Sequence, residues 1–342
     1  MKGKVYGLDS IRFFCALWVV FWHSDVPPLF HGVNFSSGAL RYLVSLYQEG
    51  ILFNGQAAVT LFFIISGFCI HYPQTREPRL HAASFYARRL LRIGIPWVVV
   101  EAGIRWSPGA AELGVIFAGI SWTLRCEVAY YLIYPLLLQL AKKGGWARVL
   151  GWSFAASGIA TVVFARHYAF AGFVKMPWNM VIGLPSWVLG CVLAEHFSKS
   201  GVAAGRTPIW LWRGTTWLAS VLCLVLMLYT PVNLIWSLNF FAILGYFYLR
   251  AELDYYQYAK PVRGFELLGM ASYSMYLIHV VVIYYMKEFV AGYSAWAHWA
   301  AMISMVFAGT GVYYLAVEYP SHQLARKFRA TGGGGAAAKA AA

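Results

Sequence analysis

The segment Leu8 to His23, LDSIRFFCALWVVFWH, sets an arginine and a histidine eleven residues apart in an otherwise apolar run. At 100° per residue, eleven steps are three turns plus about 20°, so Arg12 and His23 leave one face of a helix, about 16 Å apart along its axis. Ala16 and Val19 fill the stripe between them. A run this apolar reads as a membrane span. A charge inside a span costs about 2.5–3.5 kcal/mol on insertion scales, so such groups face a bundle interior or a water-filled pathway. Two readings fit: a buried polar pair that ties helices together, or a proton-handling site, because imidazole titrates near neutral pH.

Four further stretches carry side chains of the same kind. FFIISGF, Phe62 to Phe68, puts the Ser66 hydroxyl beside Gly67, where another backbone can come close. Small residues of this kind also serve plain helix packing. YARRLLRI holds Arg88, Arg89 and Arg92 on one helix face. They are either topogenic and headgroup-facing charge or a fork of guanidinium groups suited to phosphate. SWTLRCEVAYYLIYP places Glu127, Tyr130, Tyr131 and Tyr134 at i, i+3, i+4 and i+7, one polar-tipped stripe. Glu127 lies well inside its span, and the competing structural role for it is a salt bridge with Arg125 or Arg12. LGMASYSMYLIH and the terminal VEYPSHQ add Tyr273, Tyr276, His279 and Glu318, which read as interfacial anchors.

The elements that must position these groups follow from composition. The chain has 342 residues, 60% of them hydrophobic and 12% charged, against about 25% charged in soluble domains. It reads as all-α, a polytopic bundle of about ten transmembrane helices over roughly 8–26, 54–73, 90–106, 114–140, 147–166, 178–197, 209–229, 231–250, 266–287 and 296–317. Loops such as Pro27-Pro28, Gly144-Gly145 and Pro261-Val262-Arg263-Gly264 separate them. The net charge of +14 is scattered between apolar segments and forms no patch, which argues against a nucleic-acid partner. With the N-terminus in the cytoplasm, Lys2, Lys4, the Arg76–Arg92 group, Lys142, Lys143, Arg148, Lys199, Arg206, Arg213, Arg250, Lys260, Arg263, Arg326, Lys327, Arg329 and Lys339 share one side. Arg41, Arg105, Arg166, Lys175 and Lys287 fall on the other. That asymmetry places both termini inside and the long 24–53 loop outside.

The five cysteines lie in apolar segments with no metal-ligand spacing, so no metal is expected. The Asn34-Phe35-Ser36 sequon matters only in a glycosylating compartment. Residues 1–330 form one membrane domain, and the low-complexity 331–342, GGGGAAAKAAA after Thr331, reads as a disordered tail. No internal repeat, P-loop or nucleophile elbow is present.

Taken in order, LDSIRFFCALWVVFWH, FFIISGF, RRLLR, SWTLRCEVAYYLIYP and SYSMYLIH make the chain resemble the acyltransferase family 3 membrane proteins from Leu8 to about Arg326. The resemblance implies about ten spans and transfer of an acyl group, usually acetyl, from acyl-CoA to a hydroxyl of an envelope glycan, a lipid-linked sugar or a secondary metabolite in the bacterial plasma membrane. It assigns the first-motif arginine and histidine to Arg12 and His23, the Phe-Phe…Ser-Gly serine to Ser66, the Arg-x-x-Arg pair to Arg89 and Arg92, and the tryptophan-motif glutamate to Glu127. Ser10-Ile11 stands where the family often has Gly-Leu. Some relatives carry a further hydrolase-like domain; without one, any later transfer would fall to another protein.

On this reading His23 is the general base that a hydroxyl nucleophile requires. Glu127 either orients the imidazole or handles a proton or the acceptor. Arg12, Ser66, Arg89 and Arg92 line the acyl-CoA path from the cytoplasmic side, and lipids surround the bundle. Two other classes compete: a proton-coupled secondary transporter built on Arg12, His23 and Glu127, and a structural or assembly subunit.

Overall fold

The structure, a computed structural model, describes residues 5–77, 80–200, 208–289 and 292–328. The tail at 331–342 and the charges of Lys2, Lys4, Arg79, Arg206, Arg329 and Lys339 lie outside the described residues. Among those described, the regular elements are all helical. In order they are α1 (Leu8–His23), α2 (Gly38–Gln48), α3 (Gly55–His71), α4 (Ala82–Arg105), α5 (Ala110–Gly144), α6 (Trp146–Phe164), α7 (Trp178–Lys199), α8 (Ile209–Tyr229), α9 (Leu234–Tyr255), α10 (Arg263–Met270), α11 (Ser272–Phe289), α12 (Ala295–Tyr313) and α13 (Tyr319–Arg326).

Each of the ten predicted segments coincides with helix. Among the described residues, six helical stretches are long and apolar enough to cross a membrane, and α10 with α11, bent by 66° at their junction, would make a seventh. The remaining three are α1, α4 and α5. α1 has only 16 residues, while α4 and α5 carry the arginines and Glu127 within their lengths. The helices that fall short of an ordinary span are thus the ones bearing Arg12, His23, Arg89, Arg92 and Glu127.

Four local features depart from the sequence expectation. α1 stops at His23, because Ser24 is extended (φ −116°, ψ 177°) and Pro27-Pro28 follows, where the proline ring disfavours helix before it. The 24–53 segment contains a helix, α2, whose N-terminus is capped by the Ser37 side chain. The ninth segment is broken at Ala271, and the chain's last long helix passes through a π-helical turn at Tyr314–Glu318 before α13. An extra residue in such a turn re-aims a side chain, here Glu318, whose carboxylate accepts the backbone N–H and the hydroxyl of Ser274 at the start of α11.

α3 is the hub. It is apolar on every face and buried along nearly its whole length, as a helix surrounded by others must be. It packs on α1, α7 and α9. At the α3–α7 crossing a Cβ on Gly67 would sit 2.0 Å from the Trp187 carbonyl oxygen, and one on Gly190 would sit 2.0 Å from the Ile64 carbonyl oxygen. The two backbones therefore touch, the close approach that small residues allow in membranes. α1 runs against α3 in the opposite sense: Trp22 lies over Gly55 at one end, and Arg12 meets Cys69 at the other.

Gly190→Ala should consequently lower thermal stability by about 1–3 kcal/mol, the usual cost of overpacking. Gly114→Ala in α5, where a Cβ meets nothing within 4 Å, should not destabilise. Melting of both variants in detergent checks this, and equal midpoints would show the crossing to be looser than described.

Candidate active site

The sequence-predicted residues gather at two levels of the bundle. The first lies towards the N-terminal end of α1. Arg12 donates to Asp9 Oδ1 at 3.2 Å and to Cys69 Sγ at 3.2 Å. The Ser66 hydroxyl donates to Glu127 Oε1 at 2.6 Å, and the Tyr131 hydroxyl donates to the same oxygen. Trp187 Nε1 donates to Ser66 Oγ at 3.3 Å. Glu127 sits at the midpoint of α5 and is half-buried, while Ser66 and Tyr131 are buried. Arg12, Glu127 and Tyr131 form one electrostatic neighbourhood, which Arg92 and Arg89 share.

Neither Arg125 nor Arg12 forms a salt bridge with Glu127. Arg125 is exposed and donates to the Ala118 carbonyl, and the ion-pair partner of Arg12 is Asp9. The carboxylate is held by hydroxyl donors instead. Arg89 and Arg92 are half-buried on α4, and no hydrogen bond or ion pair involves either guanidinium among the described residues. A guanidinium has five N–H donors, so this end of the bundle keeps a large unused capacity for an anion.

The second level lies at the C-terminal end of α1. His23 Nδ1 is 2.9 Å from the Val19 carbonyl oxygen and 3.3 Å from His279 Nε2. His279, fully buried in α11, places its Nδ1 2.8 Å from the Tyr276 carbonyl oxygen. A carbonyl can only accept, so Nδ1 carries the hydrogen in both rings. His279 Nε2 is then an acceptor facing the His23 Nδ1–H, and the His23 Nε2 lone pair has no partner among the described residues. The His23 side chain is exposed rather than packed over. Tyr276 is tied to α5 through Thr123 Oγ1 at 2.6 Å and the Ile120 carbonyl at 2.9 Å.

Glu127 and His23 thus have different partners, and the group that orients the imidazole is His279 with the Val19 carbonyl. His279 was not among the site residues chosen from sequence. Its signal was an ionisable side chain eight residues into an apolar helix, which in a membrane marks function more often than anchorage. Glu318 is likewise buried and electrostatically close to Arg92 and Arg12. It is no interfacial anchor. Tyr130 and Tyr134, the rest of the predicted stripe, hold α7 and α3 by bonds to the Met180 carbonyl and to His71 Nδ1. Among the described residues no three His, Cys, Asp or Glu side chains converge as a metal site.

The bundle thus carries guanidinium groups at one level and an imidazole pair at the other. The family described as an acyltransferase domain matches residues 5–317, and the chain belongs to it. It is similar to "Acyltransferase MdmB" of Streptomyces mycarofaciens, 25% identical over 379 aligned positions that take in 94% of this chain and 92% of the relative. It is also similar to "Nodulation protein 10" of Rhizobium leguminosarum bv. viciae, 22% identical over 253 positions, 61% of this chain and 65% of the relative. No solved structure matches it. The chain is therefore an acyl-transferring enzyme, and the transporter and assembly-subunit readings give way.

Ser66→Ala and Tyr131→Phe should each cost about 1–3 kcal/mol, since each removes a hydrogen bond to a charged group. Because both hydroxyls serve one oxygen, the double variant should lose less than the sum. Detergent melts of the three variants test this; strictly additive losses would place the two hydroxyls in separate networks.

Proposed function

We propose that the chain is an integral membrane O-acyltransferase of a bacterial plasma membrane. It moves an acyl group, in the simplest case acetyl, from cytoplasmic acyl-CoA to a hydroxyl of a glycan, lipid-linked sugar or secondary metabolite. The observation that supports this reading best is the division of the polar groups into a cationic level with unpaired guanidiniums and an imidazole level with a free Nε2, at opposite ends of α1. With both termini cytoplasmic, the cationic level faces the cytoplasm.

Arg89 and Arg92 hold CoA phosphates, for which a planar fork of donors is suited. The pantetheine arm passes Arg12 and Ser66 and carries the thioester towards His23. Glu127, kept in place by Ser66 and Tyr131, offsets the Arg12 charge along that path and acts as a positioning residue. His23 Nε2 takes the acceptor hydroxyl proton while the oxygen attacks the thioester carbonyl carbon. The C–O bond forms, the C–S bond breaks, and the CoA thiolate recovers the proton from the imidazolium. Overall, R–OH and acyl-S-CoA give the O-acyl ester and CoA-SH. His279 Nε2 accepts from the His23 Nδ1–H throughout, which fixes the ring and spreads the positive charge, the part a carboxylate has in hydrolytic triads.

With purified protein and labelled acetyl-CoA, His23→Ala should retain acyl-CoA binding and lose transfer by about 10²–10⁴. His279→Phe should lower kcat in the same direction by less. Arg89→Ala and Arg92→Ala should raise KM for acyl-CoA, with lysine rescuing only part, and Glu127→Gln should also act on KM. Near-normal specific activity in His23→Ala would end the base assignment. An unchanged KM in both arginine variants would make those residues topogenic only. A reporter fused at the C-terminus should be active in the cytoplasm; activity on the outer side would invert the map.

A further inference from the structure

The 24–53 segment joins two helix ends that lie side by side: Trp22, one residue before the end of α1, packs on Gly55, the first residue of α3. Both of its ends are therefore at the imidazole level. Between them α2, with 11 residues, is about 16 Å long, too short to cross a bilayer.

The neighbouring helix α8 measures how deep the segment runs. Tyr42 of α2 hydrogen-bonds Tyr229, the last residue of α8. Ten residues further on, the Leu52 carbonyl accepts from Trp217 Nε1 at 3.0 Å, and Asn54 Nδ2 donates to the Ser220 carbonyl at 2.8 Å. Along α8, Trp217 and Ser220 precede Tyr229 by about 18 and 14 Å, at 1.5 Å per residue. Between Tyr42 and Leu52 the chain thus travels about half of the roughly 30 Å hydrocarbon thickness of a bilayer. Backbone at such a depth must find its hydrogen bonds inside the protein, and here it does. The N–H groups of Glu49, Gly50, Ile51 and Phe53 donate to the carbonyls of Ser45, Tyr47, Leu46 and Gly50 at 2.9, 2.9, 3.1 and 2.9 Å. Gly50, at φ +72°, takes the left-handed turn that ends α2.

α2 itself is two-faced. Val44 and Tyr47 are buried against the protein, and the Tyr47 hydroxyl donates to the Pro27 carbonyl at 2.7 Å, four residues past His23. Ala39, Tyr42, Leu43 and Leu46 stand at i, i+3, i+4 and i+7, an apolar stripe, while Arg41, Ser45 and Gln48 make a polar one. The upper part of the apolar stripe is uncovered: Leu43 is 60% exposed and Tyr42 47%, with Leu40 beside them at 44%. Through the Tyr42–Tyr229 contact this surface continues onto α8, where Leu218, Leu222, Leu228 and Tyr229 are also exposed. α8 is long and apolar enough to cross a membrane, so acyl chains cover its outer face, and the same layer reaches α2.

We propose that 24–53 is a re-entrant segment and that α2 is its lipid-facing limb. It lies in the leaflet at the imidazole end of the bundle, with Leu40, Tyr42 and Leu43 against acyl chains and the Arg41–Gln48 stripe turned away from them. This placement is independent of the transfer reading.

The test is nitroxide collision with oxygen, which concentrates among acyl chains, against collision with a water-soluble nickel chelate, which does not. The full chain carrying Leu40→Cys, Leu43→Cys, Gln48→Cys or Leu222→Cys is spin-labelled and reconstituted in liposomes of phosphatidylethanolamine and phosphatidylglycerol. The unsubstituted chain, labelled in parallel, gives the background from its own five cysteines. The apolar face of an interfacial helix sinks about 5–10 Å past the headgroups, so the oxygen-to-nickel ratio at 43 should lie within about twofold of that at 222 and about fivefold above that at 48. Position 40 should follow 43, and decides in its place if Leu43→Cys does not melt like wild type. A ratio at 43 matching that at 48 would put the segment in water and overturn the placement. Weak collision with both reagents at 43 would assign the face to protein, in the first instance a second copy of the chain, and would overturn it as well.

Discussion

The contact on which the polar interior depends is the meeting of two backbones at Gly67 and Gly190. Lipid tails are as apolar as leucine, so no hydrophobic force drives helices together inside a bilayer; close packing and hydrogen bonds must do it. At this crossing each glycine faces a carbonyl of the other helix at a distance that leaves no room for a Cβ. The approach brings Ser66, the residue before Gly67, against Trp187 and within 2.6 Å of Glu127. The packing role of a small-residue pair and the chemical role of the serine beside it are therefore not alternatives. Gly67 makes the contact, and the contact places Ser66.

The way Glu127 and Arg12 are satisfied leaves hydrogen-bonding capacity unused at this level. A bidentate pair between them would neutralise both charges and consume their hydrogen-bonding capacity. Instead the carboxylate takes hydroxyl donors from Ser66 and Tyr131, and Arg12 divides itself between an aspartate one turn back and a thiol, a weak acceptor. The groups attract each other across the site without closing it. A guanidinium held this way keeps donors unused, and Arg89 and Arg92 on α4 share its neighbourhood with no hydrogen bond or ion pair among the described residues.

How much of this could be read in the residues follows from the range of each interaction. Periodicity within one segment was legible: Arg12 and His23 on one helix, Glu127 and Tyr131 on one stripe, the cluster on α4, and the span that contains Phe62–Phe68. Partners from distant segments were not. Ser66 meets Glu127 across 61 positions and His23 meets His279 across 256, and no spacing rule connects residues so far apart. The reading of His279 and Glu318 as interfacial anchors failed for a different reason. Depth within a span was available for His279, and a buried ionisable group there is costly unless it is used. The break at Ala271 was not legible: Gly269 and Ser272 are weak helix formers, but such residues also occur within continuous spans, and the turn is held from outside the segment.

That break is what joins the two levels of the site. α10 lies against the start of α1, where a Cβ on Gly269 would strike the Asp9 carbonyl oxygen at 1.8 Å and Glu266 accepts from the Ser10 backbone and hydroxyl. α11 leaves α10 at 66°, and its first turn is fixed by Glu318 through Ser274. The position of His279 relative to α1 is therefore set at the opposite end of α1, beside Arg12, by a glycine contact and a carboxylate presented from a π-helical turn. Glu318 is also an electrostatic neighbour of Arg12 and Arg92. The carboxylate that anchors α11 thus sits in the field of the same guanidiniums, and the first turn of the helix bearing His279 is tied to the cationic level. A straight ninth helix would separate the two, leaving the imidazole pair without that tie.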